Sequence, residues 1–274
     1  MRILIKGAGD LATGIAYELW LAGHEVLMTE IAIPLAVRRM VSFSRAVYEG
    51  EAKVERAKGI LVSSLEEACR EQEKGNIPVM VDEKAEILQK YRPDVLVDAI
   101  MAKKNLGTSI TDAPVVIGIG PGFCAGRDCH FVIETQRGPR LGEVIQHGCA
   151  IPNTGIPGNI AGYTIERLIR ASADGVMEPL AQIGDVVEKG QMVAKTGGVP
   201  VYALMSGIIR GMLQEGVEVT KGLKIGDIDA RIVLKNCYTI SDKARKIGQG
   251  VKAALLEGNQ TFSEKVRNGC IHLR

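Results

Sequence analysis

Aromatic residues are scarce in this 274-residue chain: one Trp, six Tyr and four Phe, 4% in all. That scarcity argues against an aromatic-lined binding protein and for the Val, Ile and Leu core of an α/β fold. An excess of one charge sign is missing too. The 34 Lys and Arg face 32 Asp and Glu, a formal net charge of +2. No clustered basic face stands out, so nucleic acid is excluded as a partner. No apolar run is long enough to cross a bilayer, which excludes a membrane-spanning role. Arg2-Ile3-Leu4-Ile5 enters a strand with no h-region or cleavage site around it, so a cytoplasmic protein without a signal peptide is expected. Six cysteines without a secretion signal read as thiols and not as a disulfide framework.

What is present begins with a nucleotide-fold signature. Residues 2–6 form an apolar strand, and Gly7-Ala8-Gly9-Asp10-Leu11-Ala12 supplies G-x-G-x-x-A. A helical pattern runs from Leu11 through Thr13 to Leu21 and stops at Gly23, and a second strand ends near Glu30. Gly7 permits the tight turn, Gly9 lets backbone approach a pyrophosphate, and Ala12 lets the helix pack closely. The helix N-terminus then faces the phosphates. Glu30 is either a ribose ligand or an ordinary strand-end carboxylate. Asp10 departs from the pattern, because it sets a carboxylate where phosphate wants N–H groups; it suits a helix cap. Further strands at 59–62, 77–81, 95–99 and 115–119 alternate with helical patterns opening at Ser63-Ser64 and spanning 83–90. Such alternation predicts a Rossmann-like, mostly parallel sheet. Ligands of these sheets bind beyond the carboxyl ends of the strands. Asp98, Lys103, Lys104, Asn105, Gly120 and Gly122 lie there and form the expected pocket rim.

The stretch from Met101 to Gly162 is dense in glycine and proline, yet apolar runs separate its loops. Lys103, Lys104, Arg127, Arg137 and Arg140 suit an anionic ligand there, with Glu134 and Asn153 alongside. Glu134 and Arg137 also suit a structural ion pair holding the VIET-x-RG turn. Three words of this stretch, GPGF-x-AG, VIET-x-RG and PNTGIPG, resemble those of the YqeB family, the accessory proteins of selenium-dependent molybdenum hydroxylase systems. The resemblance runs from GAGDLATGIA to the second-half glycines. It implies a bacterial cytoplasmic protein with a Rossmann-like front half and a role in maturing a molybdenum hydroxylase. The implied ligand is a nucleotide or molybdopterin dinucleotide, and the implied partners are the hydroxylase or its other maturation proteins.

Cys124, Cys129, His130, His147 and Cys149 fall close together, but they lack the C-x2-C knuckle spacing of zinc sites, so no metal is expected. In the second half, Gly175, Gly184, Val187, Lys189 and Gly190 recur 32 residues later as Gly207, Gly216, Val219, Lys221 and Gly222. The repeat resembles a biotinyl/lipoyl barrel-sandwich domain, although the hairpin at 196–202 carries no lysine for modification. The chain thus divides into a Rossmann-like domain with glycine-rich central loops (1–165), a barrel-sandwich-like domain (166–235) and a C-terminal helical segment (236–274). A helix is expected at Ile165–Arg170. Another runs from Asp242 to Leu256 with Lys243, Arg245, Lys246 and Lys252 as a solvated basic end, and a short helix follows from Thr261. No catalytic set is evident. An accessory factor holding an anionic cofactor is favoured over a docking scaffold with a vestigial nucleotide site, and both over an NAD(P)-dependent oxidoreductase. Self-association through a sheet edge is compatible with all three.

Overall fold

The front-half strands are near-continuous apolar runs, the pattern of strands buried on both faces. The computed structural model describes residues 1–155 and 157–267, so Ile156 of the PNTGIPG word lies outside the described residues. The front-half strands are β1 (Arg2–Lys6), β2 (Glu25–Glu30), β3 (Glu51–Val54), β4 (Ala57–Val62), β5 (Ile77–Val81), β6 (Val95–Asp98) and β7 (Val115–Ile119). Four short ones follow: β8 (Cys124–Ala125), β9 (Phe131–Ile133), β10 (Val144–Ile145) and β11 (Gly148–Cys149). The helices are α1 (Asp10–Leu21), α2 (Ala46–Glu49), α3 (Leu65–Glu73), α4 (Leu88–Tyr91), α5 (Lys235–Tyr238) and α6 (Asp242–Arg267). Nine strands join in the order β10-β9-β7-β6-β1-β2-β5-β4-β3. Pairing is antiparallel at both edges, β10 with β9 and β3 with β4, so the sheet is mixed.

Alternate residues feed two cores. Ile3, Ile5, Val26, Met28, Val97 and Ile117 pack with α1 and with Ile247 and Val251 of α6. Leu4, Leu27, Leu96 and Val116 pack on the other face with Ala68 of α3 and Tyr91 of α4. The C-terminal helix therefore completes the front-half core. It is one helix to Arg267, which absorbs the separate short helix expected from Thr261.

Two glycines set how α6 lies on α1. A Cβ at Gly14 would stand 2.6 Å from the Ala244 Cβ, and one at Gly248 would stand 2.8 Å from the Glu18 Cγ. The contacts climb both helices together, so α1 and α6 run parallel with their N-termini side by side. Arg245 pairs with Glu18 at 3.4 Å and also with Glu55, and Lys252 reaches Glu18 at 3.6 Å. The basic end expected to be solvated is instead partly spent on α1. The helix expected over 83–90 shrinks to α4, because both Asp82 carboxylate oxygens accept backbone amides, from Glu86 and Ile87, and hold a turn.

The second half holds β12 (Leu168–Arg170), β13 (Gly175–Pro179), β14 (Val186–Val187), β15 (Met192–Thr196), β16 (Val199–Tyr202), β17 (Gly207–Met212), β18 (Glu218–Val219) and β19 (Lys224–Asp229). The helix expected at Ile165–Arg170 is corrected to β12, whose Leu168 and Ile169 pair with β19. Two antiparallel sheets form, β12-β19-β17-β14 and β16-β15-β13-β18. The first repeat thus gives β13, β15 and β16 to one sheet and β14 to the other, and the second gives β18 to the first of these and β17 and β19 to the other. The expected fold class is corrected here. No pairing among the described residues joins the two sheets, so they remain open half-barrels and not a clear biotinyl/lipoyl barrel-sandwich, and the sheet before them is mixed.

Cysteine chemistry also differs from expectation. Cys124 of β8 and Cys149 of β11 form a disulfide, while Cys69, Cys129 and Cys237 are free. Among the described residues no helix is long and apolar enough to cross a membrane.

Two outcomes follow. Gly14→Leu should destabilise the fold by about 1–3 kcal/mol or more through overpacking, while exposed Leu21→Ala should stay within about 0.5 kcal/mol, as read by urea denaturation. Reducing the Cys124–Cys149 bond, which spans 25 residues, should cost about 2–4 kcal/mol in the same assay.

Candidate functional site

The glycine loop is built as expected but used differently. Gly7 sits at φ +93°, where a Cβ would meet the Ala99 carbonyl at 3.0 Å, so it serves close contact with the turn after β6. A side chain at Gly9 would meet nothing within 4 Å. Ala12 is core, and the buried Thr13 hydroxyl donates to the Ala8 carbonyl and accepts from the Phe43 amide. Glu30 turns back onto the loop and accepts the Ala8 and Ile31 amides at 2.9 Å. Burial pushes its pKa up against those two hydrogen bonds. It is occupied by protein amides and not free for a ribose. Asp10 is no cap: Gly9 is the N-cap residue, without a side-chain bond, and Asp10 pairs with Arg38 at 3.4 Å. Among the described residues the amides of Asp10 and Leu11 have no hydrogen-bond partner.

Several rim residues prove structural. Asp98 is buried and forms a triad with Lys6 and Thr108: Thr108 donates to it at 2.6 Å and Lys6 donates to Thr108 at 2.8 Å. Asn105 closes its own loop by accepting the Gly107 and Thr108 amides. Gly122, at φ +111°, packs where a Cβ would strike the Lys104 backbone at 2.7 Å, and Gly120 packs against Thr135. Glu134 is fully buried and accepts the amides of Thr135, Gln136 and Ile151 at 2.7–2.8 Å. Its structural role is therefore to pin two loops through amides, and no ion pair to Arg137 forms. Arg127 is exposed and bound to Asp128, away from the other candidates.

Five expected residues do converge. Asp10, Leu11, Lys103, Arg137 and Asn153 line a cleft of about 720 Å³ between the carboxyl edge of the large sheet and the sheet containing β12, β17 and β19. Seven basic residues line it: these two plus Arg38, Arg167, Arg210, Lys224 and Lys243. Asp10 and Asp227 are its two acids. The starts of α1 and α6 both open on it, and helix starts favour anions. Among the described residues Lys243 makes no hydrogen bond or ion pair; burial lowers its pKa, helped by Arg137, while Asp10 and Glu134 act the other way. A more open cleft of about 960 Å³ lies beyond β4 and β5. Its Asp82 and Glu67 are committed to local amides and hydroxyls, and Lys90 is its single base, so it makes the weaker anion site.

Sequence reasoning missed Arg38, Arg167, Arg210, Lys224 and Lys243. One signal was readable: Arg210 interrupts the apolar run Gly207-Ile208-Ile209, and a charge inside a buried strand needs a partner or a purpose. The others come together only when α6 returns to the first sheet. Among the described residues, no three His, Cys, Asp or Glu side chains gather as a metal site, and the His130 Nδ1 accepts the Val116 amide at 3.0 Å.

No protein-family model matches the chain. It is 48% identical over 254 residues to the uncharacterized protein YqeB of Escherichia coli (strain K12), covering 93% of this chain and 47% of that protein. The chain thus spans about half the length of the curated relative it matches. Among solved structures, an aspartoacylase family protein from Mesorhizobium loti is 13% identical with a TM-score of 0.26, covering 83% of this chain and 84% of that one. A succinylglutamate desuccinylase/aspartoacylase from Rhodobacter sphaeroides is 14% identical with a TM-score of 0.26, at the same coverage. Scores this low carry no argument about fold or function.

The lowered pKa of Lys243 has a stability consequence. Its unfolded state holds the proton more tightly, so its contribution to stability should rise with pH from the folded pKa up to the ordinary lysine range near 10.4. Lys243→Met should remove that rise and stabilise the ligand-free protein at neutral pH by about 0.5–2 kcal/mol, as followed by denaturation across pH.

Proposed function

Taking the likeness to YqeB, which supports membership of the YqeB family, as the premise, we propose that this chain is an accessory factor holding a phosphate-bearing cofactor for a molybdenum hydroxylase. The ligand class is a nucleotide or a nucleotide-bearing cofactor such as molybdopterin dinucleotide. The observation that carries the reading is the cleft at the sheet's carboxyl edge, where seven basic residues face two acids beside two helix starts. Arg137 and Lys103 supply exposed charge at the mouth, Lys243 lies deeper, and the Asp10 and Leu11 amides stand open for a phosphate oxygen. The oxidoreductase alternative loses support, because Glu30 is committed to the Ala8 and Ile31 amides and Asp98 to Thr108. A docking role retains one specific support: Val186, Tyr202 and Leu204 expose apolar side chains on the second half.

Thermal unfolding against NAD, NADP, AMP, ATP, CDP, CTP, GTP and molybdopterin dinucleotide tests the reading. One ligand should give a saturable rise, about 2.7 kcal/mol at a hundred times its Kd. Gly9→Asp, which adds a carboxylate at the α1 start, and Arg137→Ala should each weaken it. No shift with any of them would overturn the reading, and co-purification of a hydroxylase subunit would then favour docking.

A further inference from the structure

Beside the main cleft lies a smaller one of about 260 Å³, lined by Arg137, Asn159, Arg210, Arg231, Asn236 and Ser241 among others. Arg137, Arg210 and Ser241 belong to both. Three arginines line it against a single carboxylate, Asp242. Arg231 grips Asp229 with two hydrogen bonds, at 2.8 and 2.5 Å. Asp227 is held by Arg167, with Lys224 at 3.7 Å. Arg210 is left over. Its side chain is 8% exposed, yet its nearest carboxylate oxygens are 3.8 and 3.9 Å away. Among the described residues its side chain donates one long hydrogen bond, from Nε to the Asn236 carbonyl at 3.5 Å. Arg38, itself buried, lies close enough to lower the Arg210 pKa further after burial. Burying a guanidinium that shares both of its carboxylates with closer cations is costly, and an added anion offsets that cost.

The start of α6 faces the same space. Ser241 accepts the Ala244 amide at 3.2 Å, which leaves its own hydroxyl hydrogen to donate, and among the described residues the Asp242 and Lys243 amides have no partner. Gly14 and Gly248 bring α1 and α6 into close contact, and residues at both helix starts line the main cleft.

We propose that the smaller cleft is a second anion subsite, centred on Arg210 and the α6 start, so that the ligand carries two anionic groups bridging the two helix starts. This rests on the anion-binding reading above and narrows it to bis-anionic compounds whose charges are set further apart than in a pyrophosphate.

Calorimetric titration of the full chain with methylphosphonate and a series of α,ω-alkane bisphosphonates, from methylene to octane, tests it. Affinity should peak at an intermediate spacer, roughly tenfold or more above methylphosphonate, because the second group binds at a high effective concentration. Arg210→Gln should abolish the peak, lowering affinity for the intermediate bisphosphonate far more than for methylphosphonate, and Arg210→Lys should restore part of it. The length series uses the unsubstituted chain, so it stands even where a variant fails to fold. Binding of methylphosphonate with no dependence on spacer would overturn the second subsite and leave the single anion site intact. A peak unmoved by Arg210→Gln would overturn its assignment to Arg210. No binding of any phosphonate would overturn both readings.

Discussion

The close parallel packing of α1 on α6 is the constraint on which the rest of the molecule depends. Side-chain-free contact at Gly14 and Gly248 lets the two helices approach and share one face of the large sheet. Parallel helices at close range place like ends of their dipoles together, an arrangement that neighbouring antiparallel helices avoid. The positive ends meet at the carboxyl edge of the sheet, where parallel β-strands already direct their loops. The cationic character of the cleft therefore begins in the backbone, before any arginine is counted. The salt bridges from Arg245 and Lys252 to Glu18 lie one turn or more along from these ends and lock the register.

Around that edge, buried carboxylates act as fasteners. Glu30 ties the glycine loop to the end of β2, Asp98 ties the 103–108 loop to Lys6 through Thr108, and Glu134 ties the end of β9 to Ile151. Each of these acids is satisfied by amides or hydroxyls, so none of them neutralises the arginines nearby. The charge of these three acids is spent on loop geometry, and Asp10 and Asp227 are left as the acids lining the cleft among seven basic residues.

This division explains what could be read beforehand. Strands β1, β5 and β7 were legible because their apolar runs are long and bounded by turn residues, and Ser64 was legible as a cap, since it accepts the Glu67 amide as a hydroxyl at that position should. The glycine fingerprint was legible as a turn. Its use was not, because whether Glu30 meets a ribose or an amide depends on the path of the chain after β2. Lys103, Arg137 and Asn153 were found from loop composition. Arg38, Arg167 and Lys243 were not, because they are brought together by contacts between residues far apart in sequence. The helix at 165–170 was misread because three residues of pairing with β19 outweigh a weak local helical pattern.

The order of elements along the chain carries a consequence for biosynthesis. β13 and β14 of the first repeat pair with β18 and β17 of the second, and β12 pairs with β19, so the two sheets are not complete until residue 229 has been made. The front sheet waits longer still. One of its faces stays partly uncovered until α6, which follows every strand described, folds back across it. A ribosome releasing this chain in order would expose β7 and β9 while the second half is being synthesised. The packing of α6 on β1 and β2 is thus a contact of long sequence separation, which can form only after every described strand has been made.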